Sequence, residues 1–491
     1  MAASQMDIPV RAARSWLGAG VPVDYSVCYA LPMWEHKSGQ NMKRLDGLRS
    51  EGELNISPER SAWQAENLDQ ATRAVLAEDS KYFLHQSLST PCLNVLSGCE
   101  GSFLEDMQGN RILDFHGNSV HQVGFGHPKV ILAIKQQLDS LSFCTRRYTN
   151  LPAIELARKI TSLAPGPLNK VLFSPGGTGA VGMALKLARM ATGRFKTISM
   201  WDAFHGSSLD AISVGGEAMF RKDTGPLLPG TEHVPPPDSQ HCPWDCGGNC
   251  NLKCAEYVDY VLEKEGDVCA VIAETVRSIP YFPPEDYWRV IREACDRHGA
   301  LLILDEIPHC LGRTGKMFTF EHYDIVPDMV VLGKGLGGGV FPLAALLARE
   351  DLDVAPERAL GHYTHEKNPV ACAAGLATLD IIEEESLLQR STKMGSHALD
   401  KLTELKQHHA VIGDVRGKGL LLGVELIDPS SGLRNVDLAE RILYRSLSLG
   451  LSFKISMGNV LTLAPPLTIT VEELERAIDI IDHSLSDETS R

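Results

Sequence analysis

The stretch LLILDEIPHCLGRTG, residues 301–315, is an apolar run that ends abruptly on two adjacent carboxylates, Asp305 and Glu306. Pro308, His309 and a Gly-Arg-Thr-Gly turn follow. A short Leu/Ile run bounded by turn residues reads as a strand buried on both faces. Similar runs recur at KVLFSP (170–175), KTISMW (196–201), VCAVIAET (268–275), MVVLGK (329–334) and PLAALLA (342–348). Amphipathic segments fit between several of them, among them AVGMALKLARMA (180–191) and DYWRVIREACDRHG (286–299). Strands alternating with helices predict an α/β fold whose mostly parallel sheet is flanked by helices.

Working outward, residues 126–360 are expected to form the large domain. Residues 86–125 form the N-terminal part of a smaller α+β domain, with SFLEDMQGNRILDF (102–115) as two strands around a Gln-Gly-Asn turn. Residues 361–491 complete that domain, with VIGDVRGKGLLLGVELI (411–427) and VLTLAPP (460–466) as strands. Residues 1–85 read as an irregular arm with helical patches such as AENLDQATRAVLAED, packing on a partner subunit.

At 491 residues the chain exceeds the size at which one core keeps growing. Its 44% apolar content is that of a globular protein. A net charge of −15 argues against nucleic acid or an anionic membrane as the main partner, but not against a small anionic substrate. No apolar run approaches the roughly 20 residues that span a bilayer. The N-terminal stretch lacks the apolar core of a secretory signal, so the cytoplasm is the expected compartment. The twelve cysteines are then expected to be reduced. Four of them, Cys242, Cys246, Cys250 and Cys254, recur at a regular spacing in CPWDCGGNCNLKC. Four thiols can bind zinc, but the separated pairs of a zinc ribbon are missing, and a loop of reduced thiols is the plainer reading.

Ligands of a parallel sheet sit beyond the carboxyl ends of its strands. Gly176, Gly177, Thr178, Phe204, His205, Gly206, Glu274, Asp305 and Lys334 fall there. Lys334, between glycines in VLGKGLGGG, suits a partly desolvated amine able to form a Schiff base, or a snorkelling lysine. Asp305 suits a carboxylate facing a pyridine nitrogen, or a strand-end cap. Gly177 and Thr178 open a helix whose N–H groups can hold a phosphate, although a glycine pair also serves ordinary turns. Phe204 suits a stacking aromatic, or a core residue.

Together the segments GNRILDF, GFGHP, GGTGAVGMALKLAR, FHG, LLILDEI…GRTG, VVLGKGLGGG, THEKNPVACAAGLATL and VRGKGLLLGVEL resemble the class III pyridoxal-phosphate aminotransferase family, of fold type I, over about residues 98–470. The resemblance implies a seven-stranded type of sheet and pyridoxal 5'-phosphate as cofactor. Lys334 would form the Schiff base and carry the proton, and Asp305 would bind the pyridine nitrogen. Ile307 would pack on the ring opposite Phe204. Gly177 and Thr178 would bind phosphate, with Thr364 reaching it from a neighbouring subunit of a homodimer. His205 and Glu274 would complete the cofactor site. Arg416, in VRGKG, matches the family's frequent anchor for an acid group, where its fork suits a carboxylate or phosphonate, or else serves an interdomain salt bridge.

Three departures bear on the reaction. Pro308 stands where many members carry a glutamine touching the cofactor's phenolic oxygen, and His309 either compensates or is structural. TGAVG (178–182) replaces acidic and amide residues. THEKNP places His365, Glu366 and Lys367 where an aromatic and glycines are usual. SFCTRRYTN (142–150) and the segment 199–221 further resemble the family's ammonia-lyase branch acting on 1-hydroxy-2-aminoethylphosphonate. That resemblance implies proton loss, elimination of hydroxide and release of ammonia and phosphonoacetaldehyde, the enzyme serving phosphonate catabolism. Such a reaction requires a general acid, for which His365, Glu366 and Tyr148 are candidates. Arg146, Arg147, Lys367 and Arg416 are the candidate phosphonate contacts. The alternatives are an ω-aminotransferase of the same fold and, from another class, a non-catalytic metal-binding scaffold.

Overall fold

The computed structural model describes residues 55–238, 241–246 and 250–490. The chain enters through two helices, Pro58–Asn67 and Gln70–Tyr82. Ser57 starts the first by accepting the Arg60 N–H, and Asp69 starts the second by accepting that of Thr72. Asp69 therefore divides the patch AENLDQATRAVLAED into two helices. The first packs on its own chain: Trp63 is buried against Tyr444 of the helix Val436–Ser448, rings 6.4 Å apart. The helical patches of the N-terminal segment thus extend over most of residues 58–82; residues 1–54 lie outside the described residues.

Strands β1 (Leu96–Glu100), β2 (Phe103–Asp106) and β3 (Arg111–Asp114) form an antiparallel meander. The Asp106 carboxylate accepts the N–H groups of Gln108 and Asn110 and so fixes the β2–β3 turn.

The main sheet contains β4 (Leu168–Ser174), β5 (Lys196–Met200), β6 (Thr231–Val234), β7 (Val268–Glu274), β8 (Leu301–Asp305), β9 (Met329–Leu332) and β10 (Ala344–Arg349). Their order is β4-β10-β9-β8-β7-β5-β6. Only β10 runs antiparallel to its neighbours, β4 and β9. Every residue of β7, β8 and β9 is buried, as expected for strands covered on both faces. One face is covered by the helix Gly177–Thr192, whose Ala180, Val181, Met183, Ala184 and Leu187 join Ile272, Ile303, Val331 and Leu346 in one core. Small residues on that helix let it lie close to the sheet. The other face belongs to a larger core in which Trp288, Ile291 and Val258 join Val271, Leu302 and Leu304. The edge strand β6 has no apolar run and is half-buried over Thr231, Glu232 and His233, which hid it from periodicity.

After the helices Pro369–Glu384 and Leu387–His408, the sequence VIGDVRGKGLLLGVELI folds into the hairpin β11 (Ile412–Lys418) and β12 (Leu421–Leu426). β13 (Leu451–Ser452) pairs parallel with β3, placing residues 96–114 in one sheet with the C-terminal part of the chain. β14 (Lys454–Ser456) and β15 (Val460–Leu463) complete the sheet of β11 and β12.

The acid pair at the end of β8 divides its work across the sheet. Successive side chains of a strand point to opposite faces. Glu306 is fully buried and accepts the Thr275 hydroxyl (2.7 Å) and the N–H groups of Thr319 (2.6 Å) and Phe320 (2.7 Å). It thus binds the start of the turn Thr319–Tyr323, which lies in the crossover from β8 to β9. Burial pushes its carboxyl up from an ordinary 4.5 to about 7, against the lowering effect of those donors. Glu306→Ala is expected to cost roughly 3 kcal/mol or more in urea unfolding, because three buried donors lose their acceptor. The raised value also sets a pH dependence. Between its ordinary and folded values Glu306 binds its proton more tightly in the folded protein, so its contribution falls as pH rises from about 4.5 to about 7. The stability of the wild type relative to Glu306→Gln is expected to decline over that window and level off above it; a constant difference from pH 4.5 to 8 would show that the carboxyl does not titrate there.

Candidate active site

At the carboxyl edge of the sheet Asp305 is 2% exposed. His205, from the turn after β5, places Nδ1 2.8 Å from Asp305 Oδ2; carrying the ring proton there, it donates to the carboxylate. The Ile307 N–H donates to the other oxygen at 3.1 Å. The carboxylate is thus held at both oxygens in a fixed orientation. Glu274 stands opposite Asp305 in the β7–β8 ladder and is also buried.

The helix Gly177–Thr192 begins at Gly176 with no side-chain cap, so its first N–H groups are presented at the strand edge. A Cβ at Gly176 would meet nothing within 4 Å, leaving space in front of the helix start. Ile307 packs on it: a Cβ at Gly177 would lie 2.5 Å from Ile307 Cδ1. Gly206 has φ +122°, and a Cβ there would strike Thr178 Oγ1 at 2.3 Å, so the turn carrying His205 closes directly on Thr178.

Lys334 follows β9, three residues after Val331, the partner of Asp305 across the ladder. Its backbone is left-handed, φ +46°, and it opens a short turn, Lys334–Gly337. Ile307 also touches the neighbouring Gly333, where a Cβ would lie 3.2 Å from Ile307 Cγ2. One side chain therefore joins the helix start to the turn of Lys334. A cavity of about 530 Å³ opens here, lined by Lys334, Phe204, Pro308, His309 and Ser278 among others. Phe204 meets Phe220, ring centres 4.5 Å apart. His309 is fully buried, and neither ring nitrogen has a hydrogen-bond partner of good geometry among the described residues. Burial holds its imidazole down at about 3, helped by the Lys334 charge and opposed by Asp305 and the Val276 carbonyl, so the ring is neutral at neutral pH.

The remaining sequence candidates sit elsewhere. Arg416 on β11 is committed to its own chain: Nη1 lies 2.7 Å from both Asp414 and Glu425, and Nε donates to the Pro280 carbonyl. It lines a separate, small cavity. Arg146 is exposed and lies against His362, and Arg147 and Tyr148 are exposed beside it. His365 is exposed with its ring on Phe143, 5.4 Å between centres, and Thr364 and Lys367 are exposed in the same segment. Glu366 lines a different cavity of about 300 Å³. None of these residues lines the cavity of Lys334. Cys242 and Cys246 bring their sulfurs within 3.2 Å, and burial raises the Cys254 thiol to about 12. No three metal-ligating side chains are arranged to hold an ion among the described residues. Two cations that the sequence reading did not single out do line the cavity of Lys334: Arg60 and Lys454. Neither lies in a motif, and no local pattern pointed to them.

A lysine lining the cavity, a doubly held carboxylate, an aromatic and an uncapped helix start with open space before it form a donor set that fits pyridoxal phosphate. Comparison with known proteins agrees. The family model "Aminotransferase class-III" matches residues 86–485. The chain is 47% identical over 455 residues to a Vibrio splendidus protein named (R)-1-hydroxy-2-aminoethylphosphonate ammonia-lyase, covering 89% of this chain and 95% of that one. It is 36% identical to a leucine/methionine racemase of Thermococcus litoralis, over 78% of this chain and 88% of that protein. An ω-transaminase structure from Pseudomonas jessenii in complex with PMP superposes with a TM-score of 0.80 at 27% identity, covering 85% of this chain and 98% of that one. The chain belongs to the class III aminotransferases and is a pyridoxal-phosphate-dependent enzyme of fold type I.

Proposed function

We propose that the enzyme is an ammonia-lyase converting (R)-1-hydroxy-2-aminoethylphosphonate to phosphonoacetaldehyde and ammonia. The observation that carries this reading is the 47% identity, over nearly the whole of both chains, to the Vibrio splendidus protein of that name. The family also includes racemases and aminotransferases, and an ω-aminotransferase is the second reading, favoured by the ω-transaminase structure that superposes over 85% of the chain.

When bound, pyridoxal phosphate supplies an electron sink for a carbanion beside the amine nitrogen. Lys334 is proposed to bind the cofactor's aldehyde carbon and afterwards to carry the proton taken from the amine-bearing carbon. Asp305, oriented by His205 and the Ile307 N–H, would hold a proton at the pyridine nitrogen. Gly177 and Thr178 would hold the phosphate, and Phe204 and Ile307 would confine the ring. His205 is a positioning residue that acts through Asp305, and Glu274 shares the ladder position beside it. Loss of the C2 proton and of hydroxide from C1 leaves an enamine, and water then releases aldehyde and ammonia. Hydroxide leaves poorly and needs a proton donor at its oxygen. In the proposed homodimer that donor would be His365, Glu366 or Tyr148 of the neighbouring subunit, whose Thr364 would reach the phosphate, since these side chains do not line the cavity of Lys334 in their own chain. No helix among the described residues is long and apolar enough to cross a membrane. We assign the enzyme to the cytoplasm and to phosphonate catabolism on the same reading.

Ammonia release from the hydroxylated phosphonate with no keto acid present is expected, and none from 2-aminoethylphosphonate. Strict dependence on a keto acid would instead establish the aminotransferase. Lys334→Ala is expected to abolish turnover and the visible absorbance of the holoenzyme together. Asp305→Asn should lower kcat by at least 100-fold, about 3 kcal/mol of barrier. His205→Phe should lower kcat roughly tenfold and move the pH profile of the cofactor's absorbance, with some loss of the unfolding midpoint from the buried carboxylate oxygen left without its donor. A midpoint that falls with an unchanged spectral profile would reduce His205 to a packing role.

A further inference from the structure

The segment CPWDC, residues 242–246, takes no part in the site of Lys334, and neither of its cysteines lines that cavity. Its sequence encodes a tight turn. Pro243 presets the backbone at the second turn position, and the Asp245 N–H closes the turn on the Cys242 carbonyl at 2.9 Å. Asp245 takes a left-handed backbone, φ +59°, which bends the chain back toward Cys242. Trp244 ties the turn to the body of the protein: it packs on the larger core and on Tyr257 of the helix Lys253–Glu265, ring centres 5.8 Å apart. The Cys246 S–H is thereby placed to donate to the Cys242 sulfur across 3.2 Å, with Asn251 Oδ1 as its other acceptor at 3.5 Å. The Cys242 sulfur also accepts the Trp244 N–H at 3.4 Å. Both thiols are free and half-buried, so a small molecule can reach them. Several other thiols are placed differently. Burial pushes Cys254, Cys295 and Cys372 up to about 12 and Cys269 up to about 11, which leaves them protonated and unreactive.

We propose that Cys242 and Cys246 form a redox-active dithiol whose substrate is a low-molecular-weight disulfide, with Cys242 as the attacking sulfur and Cys246 as the resolving one. The roles follow the hydrogen bonds, since Cys242 accepts both and Cys246 donates. The Cys242 proton passes to water and its sulfur attacks one sulfur of the small disulfide. That S–S bond breaks, a mixed disulfide forms on Cys242, and the departing thiolate takes up a proton. Cys246 then loses its proton to water and attacks the Cys242 sulfur; the mixed S–S bond breaks and the second small thiolate leaves and is protonated. The two cysteines are oxidised to one disulfide, the small disulfide is reduced to two thiols, and no proton is gained or lost overall. A ring closed over so short a segment gains little from loop closure, so the bond serves exchange and not stability. Such a bond is transient in a reducing compartment, where the dithiol is the resting form. The site is independent of the substrate assigned to the cavity of Lys334.

Reduced holoenzyme treated with oxidised glutathione and analysed by mass tests the assignment. The wild type is expected to lose one hydrogen from each of the two cysteines and to retain no adduct on either, and dithiothreitol should restore both thiols. Cys250→Ser should behave as the wild type. Cys246→Ser is expected to hold one glutathione on Cys242, and Cys242→Ser to be labelled on Cys246 roughly tenfold more slowly. A disulfide from Cys242 that still forms in Cys246→Ser, or an adduct retained on either cysteine of the wild type, overturns the dithiol. So does one equivalent of zinc in the reduced enzyme as purified, since a metal would hold the same thiols. Labelling of Cys242→Ser at or above the rate of Cys246→Ser overturns the assignment of roles. Should a variant not fold, peptide mapping of the oxidised wild type decides: a bond between Cys242 and Cys246 is required, and a bond from either to Cys250 overturns the proposal.

Discussion

The hydrogen bond from His205 to Asp305 is the constraint around which the site is organised. It joins the turn after β5 to the end of β8, and both partners are buried. A carboxylate in that position has lost water on nearly all sides, so its orientation must come from the protein. His205 and the Ile307 N–H supply one donor each. The turn that delivers His205 closes on Thr178, and Ile307 lies on the helix start and on the turn of Lys334. Displacing the His205–Asp305 bond therefore disturbs every element assigned to the cofactor.

The question raised by two adjacent acids has two answers, one per face. Asp305 meets an imidazole and a backbone N–H at the ligand edge. Glu306 meets three neutral donors in the core and pairs with no cation among the described residues. Its carboxyl rises because hydrogen bonds only partly replace lost hydration. The pair therefore reflects no shared catalytic proton. It reflects strand alternation, with one acid turned toward chemistry and the other binding the crossover that leads to Lys334.

The residues proposed for the cofactor stood out in the sequence because they sit at strand ends within local motifs. Apolar runs gave β4, β5 and β7 through β10 nearly residue by residue, and chemistry-bearing types fell immediately after them. β6 was missed because Thr231, Glu232 and His233 form a half-buried edge with no run. The helix Pro58–Asn67 was obscured by polar residues, although its Ser-Pro start carries a cap signal. Arg416 was misleading for a different reason. Its identity suits an anion, but Asp414 and Glu425 become its neighbours only once β11 pairs with β12. Local pattern shows which side chains leave a strand end; it does not show which charges a hairpin returns to them.

That difference explains how one scaffold hosts the chemistries named among the relatives, a lyase, a racemase and a transaminase. The groups proposed to face the cofactor follow β4, β5, β8 and β9 of one sheet, so their spacing is fixed by its ladders. The cavity wall opposite them is drawn from the helix Pro58–Asn67 and from β14 and β15, elements at the two ends of the chain that carry no motif. Those elements can exchange an acid for a base without moving Asp305 or Lys334, because no strand register links them to β8. The two sides of the cavity are thus drawn from parts of the fold whose strand registers are independent of each other.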